Sequence, residues 1–148
     1  MSNHTGLSSR EQAAWGGFLR AHSALTSALD AELVDAHGLP LSSYEVLLHL
    51  ARAPDGRLRM SDLAESVLLS RSGLTRLADR LGKNGLIRRE ECPTDQRGYF
   101  AAITLEGRRV FDEARETHLA GVRARYLAEL TPDEQRVFGE VWERLLGL

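Results

Sequence analysis

The sequence predicts a mainly helical α+β fold that carries one small β-hairpin. Three observations lead there. Long stretches at both ends repeat apolar residues every three or four positions, the middle holds shorter helical stretches bracketed by capping residues, and residues 86–104 switch to β-prone segments around a Pro/Gly loop. The 148 residues suffice for one domain with a core of its own, and no internal repeat or flexible linker divides them. A composition of 43% hydrophobic and 27% charged residues without long polar tracts belongs to a soluble, folded protein.

In chain order, Ser8 with Glu11 makes a capping box, and Trp15, Phe18, His22, Leu25, Leu29 and Leu33 follow at helical spacing, which predicts a helix over 9–36. Gly38 and Pro40 end it. Ser42 with Glu45 reads as the box that opens a second helix, which runs through Tyr44, Leu47, Leu48 and Leu50 to about residue 53. Pro54-Asp55-Gly56 is a turn, residues 57–60 allow a short strand, and Ser61 is the expected cap of a third helix over 62–67. Ser70 caps a fourth helix whose apolar face is Leu74, Leu77, Ala78 and Leu81, and Asn84-Gly85 closes it. Strands over 86–91 and 99–104 flank Cys92-Pro93-Thr94-Asp95-Gln96-Arg97-Gly98, a loop too long for a two-residue turn. Thr104 caps a long helix expected to reach about residue 130. Thr131-Pro132-Asp133-Glu134 opens the last one, with Val137, Phe138, Val141, Trp142 and Leu145 as its stripe.

Two short helices, a basic third one and a hairpin make a winged helix-turn-helix, here with long helices before and after it. The charge supports a nucleic-acid partner although the chain as a whole is at −2. Residues 57–109 hold 11 Lys/Arg against 7 Asp/Glu, a net +4, whereas the remainder holds 8 against 14, a net −6. Basic charge is thus gathered where a phosphate-facing surface would be. On the fourth helix Ser70, Ser72 and Thr75 are short hydroxyl donors near a helix N-terminus that already favours phosphate, and Arg71, Arg76, Arg80 and Lys83 add cationic reach. An arginine that donates two bonds to guanine discriminates bases by about 1–3 kcal/mol, while one bound to phosphate adds affinity alone; sequence does not sort the three arginines. At the hairpin tip Arg97 is the candidate for the minor groove of double-stranded DNA, held by Asp95 through a charge-assisted pair.

The stretch from Asp95-Gln96-Arg97-Gly98 through Ile103-Thr104-Leu105-Glu106-Gly107 resembles the wing signature of MarR-type transcriptional regulators. Leu63-Ala64, Ser70-Arg71-Ser72-Gly73-Leu74-Thr75-Arg76-Leu77 and Leu81 through Gly85-Leu86-Ile87-Arg88-Arg89 are also similar to that family, so the likeness spans nearly the whole chain. Two departures are Ala101, where the family often has a larger aliphatic residue, and Gly73, which weakens a helix by about 1 kcal/mol relative to Ala. The resemblance implies a single MarR-like domain over 1–148, with a DNA-binding lobe over 41–104 and dimerisation helices over 8–37 and 105–148. It implies a homodimer on a pseudo-palindromic operator, acting as a ligand-responsive repressor. It also implies a small phenolic or anionic effector bound between lobe and dimer helices. Trp15, His22, His37, Tyr44, His49, Arg52 and His118 are the polar or aromatic candidates there, each with an ordinary packing role as the alternative.

Other classes find little support. There is no HExxH, no phosphate-binding glycine loop, no GxSxG and no nucleophile beside a plausible base, so neither an enzyme nor a cofactor or metal is expected. A winged helix that binds only protein is the rival, and Arg71, Arg76, Arg80 and Arg97 argue against it. The single cysteine, Cys92, excludes an internal disulfide and a cysteine-based zinc site. Arg88 or Arg89 could lower its pKa, but thiol-sensing members of the family carry their reactive cysteine near the N-terminus, so Cys92 is expected to be incidental. Apolar runs are too short to cross a membrane and the N-terminal residues show no signal pattern, so a cytoplasmic protein is expected.

Overall fold

The computed structural model describes residues 6–67, 69–94 and 98–148. Six helices and three strands follow one another as α1 (Ser9–His37), α2 (Leu41–Arg52), β1 (Arg57–Arg59), α3 (Met60–Val67), α4 (Arg71–Lys83), β2 (Ile87–Glu91), β3 (Tyr99–Ile103), α5 (Leu105–Arg125) and α6 (Pro132–Leu146). The winged helix-turn-helix is present, and its wing is broader than a hairpin. β1 joins it, giving an antiparallel sheet in the order β1-β3-β2. Register places Arg57 and Arg88 opposite Ala102 from its two sides, and Arg59 and Glu90 opposite Phe100. One face of the sheet is therefore charged, while Leu58, Ala101, Ile87 and Ile103 alternate onto the face turned to the core.

Capping explains most boundaries. The boxes Ser8/Glu11 and Thr131/Glu134 are formed, the hydroxyls of Ser70 and Thr104 accept from the N–H groups of Gly73 and Gly107, and Gly38 takes the left-handed conformation (φ 62°) that ends α1. Three expectations are corrected. Ser42 and Glu45 do not cap α2; the helix starts at Leu41 after Pro40, and the carboxylate of Asp30, reaching over from α1, accepts the Leu41 N–H at 2.8 Å. Ser61 does not cap α3, which begins one residue earlier at Met60 as the chain turns directly out of β1. Finally, α5 stops at Arg125 rather than near residue 130, giving way to a short 3-10 turn over Leu127–Glu129. The Gln135 side chain donates to the carbonyls of Leu127 and Leu130, so the freed backbone groups are not orphaned.

The core lies under α2, α3, α4 and the sheet. Leu33, Tyr44, Val46, Leu47, Leu50, Leu63 and Leu74 are its largest fully buried side chains, and Phe111 and Ala114 of α5 close it from the other side. α5 runs against α1, with Arg125 ion-paired to Glu32. Gly107 marks the tightest junction. A Cβ there would run into the Leu86 carbonyl at a separation no real Cβ occupies, so α5 can meet the end of α4 only through glycine. α6 differs from every other long helix in burying no residue, and it touches α1 through Phe18 and Trp142, whose rings are 5.3 Å apart.

Candidate nucleic-acid interface

α4 is set on the lobe by Leu74, Leu77, Ala78 and Leu81, which are buried, so Arg71, Ser72, Thr75, Arg76, Arg80 and Lys83 point outward. Those cations make no ion pair among the described residues. The hydroxyls are less free than their residue types suggest. Ser70 Oγ accepts from Gly73 N–H at 3.1 Å and lies 3.3 Å from Ser72 Oγ, and Thr75 Oγ1 donates to the Arg71 carbonyl at 2.8 Å. Ser70 and Thr75 are thus already engaged in holding the first turns of the helix. Gly73 has a local reason too, since a Cβ there would lie 3.1 Å from Ser70 Oγ and crowd the cap.

Cations on the sheet behave differently, and the sequence did not single them out as a site. Glu90 binds both Arg57 and Arg88, each at 3.0 Å, and these hydrogen bonds, Arg57's first, hold its carboxyl below the usual carboxylate range. Arg89 pairs with Asp79 of α4, and its guanidinium lies 4.6 Å from the Tyr99 ring centre. Such an exposed pair is worth at most about 1 kcal/mol, so it orients wing and helix more than it stabilises the fold. Arg59 stands apart. It is exposed, sits 5.8 Å from the Phe100 ring centre, donates to Thr94 Oγ1 at 3.4 Å, and has no carboxylate partner among the described residues. The residue spacing that could have flagged these groups is the i, i+2 arrangement of Arg57 and Arg59 and the Arg88/Glu90 pair, but their convergence depends on register. A hollow of about 370 Å³ separates the N-terminal turn of α4 from the root of the wing, lined by Arg59, Ser61, Arg71, Thr75, Cys92 and Tyr99 among others. Cys92 is buried there, with Sγ 3.4 Å from Thr94 Oγ1. Asp95 and Arg97 lie outside the described residues.

The effector candidates fall into separate groups. Tyr44 is buried, with ring centres 5.4 Å from Phe111 and 4.6 Å from His118. Burial pushes the Tyr44 hydroxyl up in pKa, against the opposing fields of Arg115 and Arg52. His118 Nδ1 is buried without a hydrogen-bond partner among the described residues, and burial lowers the ring's pKa despite the nearby Glu32 carboxylate. His37 Nε2 shares a 2.7 Å hydrogen bond with Thr117 Oγ1 next door. Trp15 and His22 belong elsewhere, flanking Phe18 on the exposed face that α1 shares with α6, while His22 and His49 both lie within electrostatic reach of Glu45. Among the described residues no group of His, Cys, Asp and Glu could hold a metal ion, and no helix is long and apolar enough to cross a membrane.

A capped helix whose cationic face makes no ion pair among the described residues, set beside a braced three-stranded wing, defines a winged-helix DNA-binding protein. The MarR family profile matches residues 37–98. Over 120 residues the chain is 32% identical to the HTH-type transcriptional regulator PrsX of Escherichia coli, covering 78% of this chain and 69% of that one. Sco3205, a MarR family transcriptional regulator from Streptomyces coelicolor solved in complex with DNA, superposes with a TM-score of 0.90 and 38% identity over 95% of this chain and 89% of that one. AbsC, a MarR family regulator from the same organism, gives 0.87 and 32% over 97% and 99%. The chain belongs to the MarR family of transcriptional regulators, DNA-binding proteins and not enzymes.

Proposed function

We propose that the protein is a cytoplasmic, ligand-responsive repressor that binds a pseudo-palindromic operator as a homodimer. The observation that carries the DNA reading is the contrast within the lobe, where Arg71, Arg76, Arg80 and Lys83 of α4 make no ion pair among the described residues while the sheet spends Arg57, Arg88 and Arg89 on carboxylates. α4 enters the major groove, and Arg97, positioned by Asp95, enters the minor groove beside it. A second copy covers the apolar face of α1 and α6, where Trp15, Phe18, Val137 and Phe138 are exposed, and the two-fold axis sets two recognition helices about one DNA turn apart. Repression follows when this dimer occupies a promoter. A phenolic or anionic effector acts at the junction of α2 and α5, where the buried Tyr44 and His118 Nδ1, which has no hydrogen-bond partner among the described residues, offer aromatic walls and a polar contact, with Arg52 and Arg115 nearby for an anion.

Selection of fragments from the source genome by the purified protein tests the reading and supplies the operator. Arg97→Ala is expected to weaken binding to a selected fragment at fixed salt at least tenfold while leaving the dimer intact, since a dimer would lose two groove contacts of about 1–3 kcal/mol each. Unchanged affinity would remove Arg97 from the interface, and enrichment no better than random sequence would leave the fold as a protein-binding module.

A further inference from the structure

The hollow between α4 and the wing has a geometric meaning for a duplex read in two adjacent grooves. A helix in the major groove and a hairpin in the next minor groove are separated on the DNA by one sugar-phosphate backbone, which must cross the gap between them. On the protein that gap is the 370 Å³ hollow, and among the described residues none that lines it is acidic. We propose that Arg59 binds a phosphate of this backbone, making β1 a third DNA-contacting element beside α4 and the wing tip.

Three observations support it. Arg59 lines the hollow together with Arg71, Ser61 and Thr75, so two arginines and two hydroxyl-bearing residues border the same space. Its side chain is held rather than free, against Phe100 and by the bond to Thr94 Oγ1, which reduces the ordering that binding demands. Its charge is also unspent. Arg57, two residues earlier on the same strand and over the same Phe100 ring, is bound to Glu90, whereas Arg59 meets no carboxylate among the described residues.

This inference rests on the two-groove reading, and salt dependence separates the two. A duplex selected from a random pool by the wild-type protein is titrated with full-length wild type and variants over a range of NaCl concentrations. Each phosphate contact contributes about 0.9 to the slope of log K against log salt. Because a dimer would lose two such contacts, R59Q is expected to lower the slope by about twice that amount, equally on selected and random duplexes, and R59K to restore it. R57Q, whose charge Glu90 already takes, is expected to leave the slope unchanged. A wild-type slope in R59Q, or equal losses in R59Q and R57Q, would overturn the Arg59 contact while leaving DNA binding in place. Absence of salt-dependent binding by the wild type would overturn both.

Discussion

α4 and α6 are similar in length, 13 and 15 residues, and both carry an apolar stripe at helical spacing, yet α4 buries four side chains and α6 none. The stripe of α4 is completed inside the chain by α3 and β2, so its other face is left to solvent. That of α6 is not completed by the described residues: Phe138 and Trp142 stack on each other, 5.9 Å apart, and Trp142 meets Phe18 of α1. The same sequence pattern therefore stands in two settings, one anchoring a helix and one left at the surface. Periodicity identifies the stripe, and only three-dimensional placement tells which use it has.

The comparison can be broken most forcefully at α4. Leu74→Ala opens a void under the helix and is expected to cost about 2–5 kcal/mol, read from the urea midpoint at constant m-value. The double substitution Phe138→Ser/Trp142→Ser should leave the lobe folded while weakening dimers at least 100-fold, since each aromatic covered in a dimer contributes about 1.5–3 kcal/mol. Sedimentation over a range of concentrations measures it, and an unchanged dimer would mean that the stripe of α6 has some other purpose. A smaller effect sharpens the contrast at the junction of lobe and long helices. Burial lowers the pKa of His118 from its ordinary value of 6.5, so the unfolded chain takes up a proton more readily than the folded chain as pH falls through that range. Stability should therefore fall as pH drops from 7.5 towards 5.5, and His118→Phe should flatten that part of the profile. The lowered carboxyls of Glu11, Glu90, Glu106 and Glu134 act in a separate window, where stability is lost below about pH 4.5.

Much of this architecture was legible in the sequence because it is encoded locally. Ser8, Ser70, Thr104 and Thr131 cap groups three residues away, and Gly38 needs only its own backbone. What escaped depends on distant partners. The cap of α2 is Asp30, 11 residues upstream on another helix, which no local motif announces. The stretch after Arg125 contains good helix formers and no breaker, and the early end of α5 is accompanied by bonds from Gln135 of α6. At the site, the cations of α4 could be read from their spacing. The sorting of the sheet arginines could not, because it requires knowing that Arg57 and Arg88 face the small Ala102 from opposite sides and so converge on Glu90. Ala101, which looked like a departure, is buried at the centre of that sheet, where it lies opposite Leu58 and Arg89.

Thr104 sits where three elements meet. Its hydroxyl donates to the Gly85 carbonyl at 2.6 Å, accepts from Gly107 N–H at 3.0 Å, and its own N–H reaches the Leu86 carbonyl at 3.1 Å, directly over the place where Gly107 admits no side chain. A joint tied at three points and packed to contact has no play in it. α5, about 30 Å long at 1.5 Å per residue, is consequently a lever fixed to the reading head: a tilt of about 5° displaces its far end by about 2.5 Å and turns α4 through the same angle. Two such levers joined at their remote ends would set the gap between the two reading heads by a rotation too small to disturb any single contact.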